Sequence, residues 1–118
     1  MTPYVLFYVE SPEATAAALE TVLGTPPVEV SATFVLFVVN GVRLGLWRRD
    51  GVRPTPEGHG VNGEIAMAVA AREDVEGHHA AWLAKGLPVL QEPEEMDFGY
   101  TATVALPVPL RVRVFHPG

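Results

Sequence analysis

The feature that most constrains this chain is a pattern of strand, helix and further strands that occurs twice. The first copy has an aromatic and β-branched strand at Tyr4–Val9 and an alanine-rich helix at Pro12–Leu23. The second copy has a strand at residues 64–70 and a helix at residues 73–85. A glycine follows each helix, as is usual where a helix ends, and the remaining strands come next. The pattern therefore predicts an α+β fold of two βαβββ modules.

Each module ends in two antiparallel strands. In the first module, Phe34–Val39 and residues 42–47 flank Asn40-Gly41, a dipeptide that strongly favours a hairpin turn. In the second module, the sequence predicts a short strand at residues 89–91 and an acidic loop at residues 92–99. Two strands follow that loop, at residues 100–106 and 110–115.

The last strands of the two modules can be aligned residue by residue. Arg43 then matches Arg111, Gly45 matches Arg113, and Trp47 matches Phe115. Because side chains alternate along a strand, these residues share the face opposite the aliphatic one. A helix has to cover the aliphatic face, so the arginine-bearing and aromatic face is either open to solvent or the wall of a cleft, and the duplication favours the cleft.

We expect a single domain, residues 1–118, with module one at 1–48, a linker at 49–63 and module two at 64–118. In this arrangement two curved half-sheets surround a shared cleft. The linker segment is rich in glycine and proline, which is typical of a loop.

Composition excludes several functional classes. The net charge of −6 disfavours nucleic-acid binding, which needs a basic surface. The absence of cysteine excludes disulfides, thiolate metal sites and a thiol nucleophile. The sequence shows neither a signal-peptide pattern nor an apolar run of membrane-spanning length, so we expect a cytoplasmic protein with no membrane partner.

Short motifs recur along the chain at residues 9–14, 23–24, 41–47, 85–88, 96–99 and 110–115. In their order and spacing, the chain resembles the vicinal-oxygen-chelate superfamily, which includes glyoxalases, bleomycin-resistance proteins and ring-cleaving dioxygenases. It is most similar to small antibiotic-binding members, such as phenazine-resistance-like proteins. The resemblance implies two βαβββ modules and a homodimer whose ligand pockets are shared between subunits.

The resemblance also implies where metal ligands would lie. Enzymes of the superfamily carry them on the first and last strand of each module, and the matching positions here are Tyr4 (or Pro3), Gly45, Glu64 and Arg113. Only the Glu64 carboxylate is a suitable ligand, and a guanidinium repels a cation. We therefore predict no metal, no cofactor and no metal-dependent catalysis. The family's usual Asp-Pro-Asp-Gly turn is replaced by an apolar turn at residues 106–109.

The candidate ligand-binding residues combine aromatic side chains, a methionine and one acid–base pair. Arg113 and Glu64 are expected to lie close together, either to orient a ligand or as a structural ion pair. The aromatic residues would stack on a flat ligand or pack in the core. No catalytic residue is predicted. The candidates are Trp47, Glu64, Arg113, Phe98, Tyr100, Phe115, Tyr4 and Met96.

These observations predict a non-enzymatic protein that binds a planar aromatic natural product, such as a peptide antibiotic, in a resistance or biosynthetic accessory role. One alternative is a metal-independent enzyme that uses Glu64 as a general base. The other is a protein-interaction module that docks through the apolar turn at residues 106–109.

Overall fold

The computed structural model describes residues 1–60 and 63–118, which form two compact units, Met1–Gly60 and Val61–Gly118. Each unit is one βαβββ module with a four-stranded sheet, so the predicted α+β fold and its duplication are confirmed. The boundary between the units falls inside the predicted linker, of which residues 61–62 lie outside the described part. The cleft predicted between the modules stays a prediction.

The elements of unit one are β1 (Tyr4–Val9), α1 (Pro12–Leu23), β2 (Glu29–Val30), β3 (Phe34–Val39) and β4 (Val42–Arg48). The strands form a sheet in the order β1-β4-β3-β2, with β1 parallel to β4 and the other pairs antiparallel. A short 3-10 turn at Arg49–Gly51 follows the last strand.

The elements of unit two are β5 (Gly63–Ala68), α2 (Arg72–Ala84), β6 (Val89–Met96), β7 (Gly99–Ala105) and β8 (Leu110–Pro117). They repeat the topology of unit one in the order β5-β8-β7-β6, with β5 parallel to β8 and the other pairs antiparallel.

The ends of α1 follow from its sequence. The Ser11 hydroxyl accepts a hydrogen bond from the backbone N–H of Ala14 at 3.1 Å, which makes it the N-cap, and Pro12 occupies the first helical position. Gly24 adopts φ 70°, a left-handed conformation that a residue with a side chain rarely adopts, and it ends the helix.

The structure corrects the predicted acidic loop at residues 92–99. Strand β6 runs through it to Met96, and only Asp97 and Phe98 form the turn into β7. Strand β6 lies at the edge of the sheet, where Pro93 and the register shifts around it are tolerated. Its glutamates are exposed, as is usual on an edge strand that must not pair with another chain.

One side of each sheet is covered by its own helix. In unit one, Leu19 of α1 is fully buried, as are Val35, Phe37 and Leu46 of the sheet. In unit two, α2 contacts β6, β7 and β8, and contributes Val75 and Trp82 to that core. We call the other side of each sheet its open face. Neither helix in the described residues is long and apolar enough to cross a membrane.

Candidate functional site

The open face of unit one is aromatic. The parallel register of β1 and β4 pairs Tyr4 with Arg43 and Tyr8 with Trp47, which places all four side chains on that face. The rings of Tyr8 and Trp47 meet edge to face, with centroids 6.2 Å apart. The Arg43 guanidinium lies 5.8 Å from the centre of the Tyr4 ring. Tyr4 and Tyr8 are 52% and 39% exposed, so this face presents ring surface to any ligand that reaches it.

The middle of this face is filled by hydrocarbon. Leu6 of β1 and Phe34 of β3 lie against Gly45, so closely that a Cβ atom on Gly45 would be 2.6 Å from Leu6 Cδ2 and 2.8 Å from Phe34 Cζ. These contacts are far shorter than van der Waals distance. Gly45 is therefore needed for the two larger side chains to close over it, and no polar ligand group stands at this metal-equivalent position.

The open face of unit two is centred on Arg113 of β8. Its Nε donates to Glu64 Oε1 at 2.6 Å and its Nη2 to Glu64 Oε2 at 3.3 Å, a two-point contact that confirms the predicted proximity. Its Nη1 donates to Gln91 Oε1 at 2.9 Å and to Thr101 Oγ1 at 3.0 Å. We call Arg113, Glu64, Gln91, Thr101 and Thr103 the arginine network.

The residues of the arginine network differ in how deeply they are buried. Thr101 and Thr103 of β7 are buried, and the Thr103 hydroxyl donates to Gln91 Oε1 at 2.9 Å, which fixes the acceptor that Arg113 uses. The Arg113 side chain is 18% exposed, whereas that of Glu64 is 33% exposed. Arg113 is therefore held in place by residues of the sheet, whereas the carboxylate of Glu64 is the more solvent-exposed member of the pair.

Two phenylalanines border the arginine network. The Phe98 ring centre lies 5.5 Å from the Arg113 guanidinium carbon, and the Phe98 and Phe115 rings meet edge to face with centroids 5.9 Å apart. Phe98 is 40% exposed at the β6–β7 turn. Met96 is also exposed and its sulfur accepts a hydrogen bond from Gln91 Nε2 at 3.2 Å, so it lies beside the network as well.

Tyr100 lies elsewhere. It is one residue from Thr101 on β7 and so points to the side covered by α2, where its hydroxyl donates to Glu76 Oε1 at 2.7 Å. The Arg72 guanidinium stacks 3.9 Å from its ring centre and pairs with the Glu95 carboxylate. The hydrogen bond to Glu76 is the main cause that raises the Tyr100 pKa, with desolvation and the charge of Glu76 adding to it. The structure does not bring Tyr100 to the open face.

The residues do not fit a metal centre of the kind the superfamily's enzymes use. Of the four equivalent positions, Tyr4 carries a phenol, Gly45 has no side chain, and Arg113 occupies both oxygens of Glu64. Within residues 1–60 and 63–118, no group of three or more histidine, aspartate or glutamate side chains could hold a metal ion. A cation at Glu64 would have to displace a guanidinium.

Sequence reasoning missed the other residues on the open faces. Gln91, Thr101 and Thr103 complete the arginine network, while Leu6 and Phe34 close over Gly45. Alternation along the predicted strand at 100–106 already places both threonines on one face. Their contact with Arg113 additionally requires the β7–β8 register, which pairs Thr103 with Arg113.

Asp74 stabilises the start of α2 from inside the helix. Ala71, not Asp74, is the N-cap of α2; the Ala71 N–H donates to Asp74 Oδ2 at 3.1 Å. Asp74 thus acts from the third helical position, where its charge still faces the positive end of the helix.

Comparison with solved structures places this fold among known ones. A protein of Agrobacterium tumefaciens solved by solution NMR is 41% identical, with a TM-score of 0.86, and the alignment covers 100% of this chain and 99% of that one. A glyoxalase/bleomycin resistance protein/dioxygenase family enzyme from Burkholderia phytofirmans is 19% identical, with a TM-score of 0.82, over 98% and 97% of the two chains.

A lactoylglutathione lyase from Agrobacterium tumefaciens is 19% identical, with a TM-score of 0.75, over 96% of this chain and 90% of that one. Proteins of this fold thus include some that are named as enzymes. No family model and no curated protein matches the chain.

Proposed function

We propose that this chain, which has the fold of glyoxalase/bleomycin-resistance/dioxygenase proteins, binds a planar aromatic small molecule without a metal and without chemical turnover. The observation that carries the proposal is the exposed aromatic face of unit one, formed by Tyr4, Tyr8 and Trp47 around an apolar centre. A natural product with fused rings, such as an antibiotic, has the matching shape, and its role would be sequestration or handling of that compound.

Physical chemistry supports a stacking role for this face. Offset or edge-to-face ring pairs contribute about 0.5–1.5 kcal/mol beyond the burial of their area. A ligand of three fused rings that stacks on one of the Trp47 and Tyr8 rings and meets the other edge to face would then bind with a dissociation constant of roughly micromolar order. Contiguous exposed apolar surface is uncommon on monomers and usually marks a binding site.

We also propose that the protein is a homodimer, with each ligand contacted by residues of both subunits. The exposure of Leu6 and Val38 beside the aromatic rings supports this, because a second copy would remove that apolar surface from water. A partner protein would cover the same surface, so the binding experiment below has to separate a ligand site from an interaction module.

Catalysis by Glu64 as a general base is the less favoured alternative. Both carboxylate oxygens already accept N–H groups of Arg113, so the base would have to leave a charge-assisted, two-point contact before it took a proton.

Tryptophan fluorescence tests the proposal. The chain has two tryptophans, Trp47 on the open face and Trp82 buried under α2. In a Trp82→Phe variant, the signal reports on Trp47 alone. We expect acridine and phenazine to quench it saturably in EDTA and equally with added Zn²⁺, whereas Trp47→Phe with Trp82 retained should give little quenching.

Trp47→Leu in the otherwise native chain, followed by calorimetry, separates loss of the reporter from loss of binding. Its affinity for the same compounds should fall roughly tenfold, the loss of one stacked ring. Absence of saturable binding across the panel, or binding only when metal is added, would contradict the proposal and return the interaction module and the metal enzyme to consideration.

A further inference from the structure

The contact between Arg113 and Glu64 has the geometry with which proteins recognise carboxylate ligands. Two parallel N–H groups of a guanidinium match the two oxygens of a carboxylate, and this pairing is stronger and more directional than a single hydrogen bond. In this chain the two oxygens belong to Glu64. The protein's own side chain therefore fills a carboxylate-binding position.

We infer that Glu64 occupies this position in place of a ligand, and that the ligand is an aromatic carboxylate whose carboxylate displaces Glu64 from Arg113. The inference rests on the proposed aromatic-binding function and specifies the charge of the compound bound. No bond is made or broken: one carboxylate replaces another on the same guanidinium.

The two partners differ in the way such an exchange requires. Arg113 is fixed by Gln91 and by buried Thr101 through contacts that do not involve Glu64. Those contacts would hold the guanidinium in place after Glu64 leaves. Glu64 has a side chain that is 33% exposed, so it can rotate into water, where a charged carboxylate is well solvated.

The surroundings favour an aromatic carboxylate over a simple one. Phe98 lies 5.5 Å from the guanidinium and packs edge to face on Phe115, which puts ring surface beside the position that the ligand carboxylate would take. Ala66 and Ala68 pair with Arg113 and Phe115 in the parallel β5–β8 ladder, so their small, exposed side chains lie on the same face as the guanidinium. A bare anion such as acetate would gain the ion pair but not the ring contacts.

The charge of a ligand determines whether it can replace Glu64 on Arg113. The Arg113–Glu64 pair is neutral as a whole, so a neutral or cationic aromatic compound has no means of replacing Glu64. A carboxylate does so with no change in the charge at the site, which avoids leaving an unpaired, partly buried guanidinium. Glu64 thus acts as an internal competitor that excludes uncharged compounds from Arg113.

The experiment measures calorimetric affinities for naphthalene-2-carboxylate and its uncharged analogue naphthalene-2-carboxamide. With Glu64→Gln, the carboxylate no longer has to displace an anion, and we expect its affinity to rise by about tenfold or more. The carboxamide should change by less than about twofold. Arg111→Gln is the matched control, because it removes an exposed positive charge from the same strand and should preserve the wild-type preference.

A second measurement uses the native chain, so that it does not depend on the folding of a variant. The ¹⁵N resonance of Arg113 Nε, assigned through its loss in Arg113→Lys, should shift on saturation with the carboxylate and stay in place with the carboxamide. Unchanged or weaker carboxylate binding in Glu64→Gln, or an equal gain for the carboxamide, would overturn the inference. If acridine and phenazine still bind in that case, the proposed function stands alone; if nothing binds, both fail.

Discussion

The two open faces share one backbone register and have opposite chemistry. Gly45 lies beside Leu6 in unit one as Arg113 lies beside Ala66 in unit two, since each pair is joined by the same parallel ladder. The first position is covered by hydrocarbon and the second carries a charged network. A repeated fold therefore does not imply a repeated site.

The neighbouring strand shows how each face accommodates its central residue. The antiparallel ladders place Phe34 opposite Trp47, and Thr101 opposite Phe115, so Phe34 and Thr101 are equivalent. Leu36 and Thr103 are equivalent in the same way. Around glycine the neighbours are large and apolar; around arginine they are small, and the threonines add hydroxyl groups. The change at one position is compensated at several others.

In this chain, different residues carry two functions that a single metal ion would perform together. A metal ion both holds oxygen atoms and attracts charge. Here the hydrogen-bonded ion pair lies in unit two, and the exposed aromatic surface is largest in unit one. The proposed ligand would require ring surface and an anionic group, and it would not require a metal.

Removing the arginine should give the largest effect on stability. Arg113→Gln leaves Glu64 without its two N–H partners and Thr101 and Gln91 without a shared donor, and we expect a loss of about 2 kcal/mol in the free energy of unfolding. Urea denaturation measures it. Arg111→Gln, which removes an exposed arginine two residues away, should cost less than about 0.5 kcal/mol.

A double-mutant cycle shows whether that loss belongs to the pair. Glu64→Gln combined with Arg113→Gln should cost less than the sum of the two single changes, by about 1 kcal/mol. Strict additivity would mean that the ion pair contributes nothing and that Arg113 acts through its hydrogen bonds to Gln91 and Thr101 and through packing.

Gly45→Ala tests the crowded face and should have a smaller effect. In an uncrowded strand, replacing glycine would stabilise by about 0.4–1 kcal/mol through the unfolded state. Here the added Cβ meets Leu6 and Phe34 at less than 3 Å, and such overpacking costs about 1–3 kcal/mol. We expect a net destabilisation of about 1 kcal/mol, measured as the shift in urea midpoint at constant slope.

Two variants define the origin of that effect. Leu6→Ala copies the alanine that stands at the equivalent place in unit two, and in its background Gly45→Ala should become nearly neutral. Gly77→Ala, at an exposed helical glycine with open space around it, should stabilise the protein by about 0.5–1 kcal/mol. A stabilising Gly45→Ala would show that Leu6 and Phe34 move aside freely.

The face of the sheet on which many side chains lie can be predicted from the sequence, because it depends on the alternation of residues along each strand. Alternation and the aligned last strands place Trp47 and Phe115 on corresponding faces and bring Glu64 to Arg113. Strand β6 was predicted too short, at residues 89–91, because an edge strand can carry glutamates and a proline that resemble a loop. Tyr100 was predicted as a ligand-binding residue, and the structure places its side chain on the helix side of β7, since a step of one residue reverses the face.

Contacts between residues of distant strands could not be predicted from the periodicity of the sequence. Gln91 precedes Arg113 by more than twenty residues, and the two meet only because β7 lies between β6 and β8 with a defined register. The closing of Leu6 and Phe34 over Gly45 likewise requires three strands in register. Composition carries no signal for such contacts.

The smallest expected effect concerns the helix side, where unit two differs from unit one by the Tyr100–Glu76 hydrogen bond. That bond raises the Tyr100 pKa above its ordinary value of 10.0, because it favours the protonated hydroxyl beside a carboxylate. The stabilisation is thus fully present below about pH 10 and is lost as the pH rises through the higher pKa of the folded state.

Urea unfolding at several pH values above about 9 should therefore show a decline in stability that is shallower in Tyr100→Phe. Tyr4→Phe, which removes an exposed hydroxyl from the other unit, serves as the control and should keep the wild-type slope. Equal slopes in all three proteins would mean that the hydroxyl of Tyr100 does not hold Glu76 in solution. In that case the stacked Arg72, its ion pair with Glu95 and the 3.6 Å approach of His79 Nε2 to Glu92 Oε2 would still join α2 to the β6–β7 hairpin, and the helix sides of the two units would differ less than their open faces do.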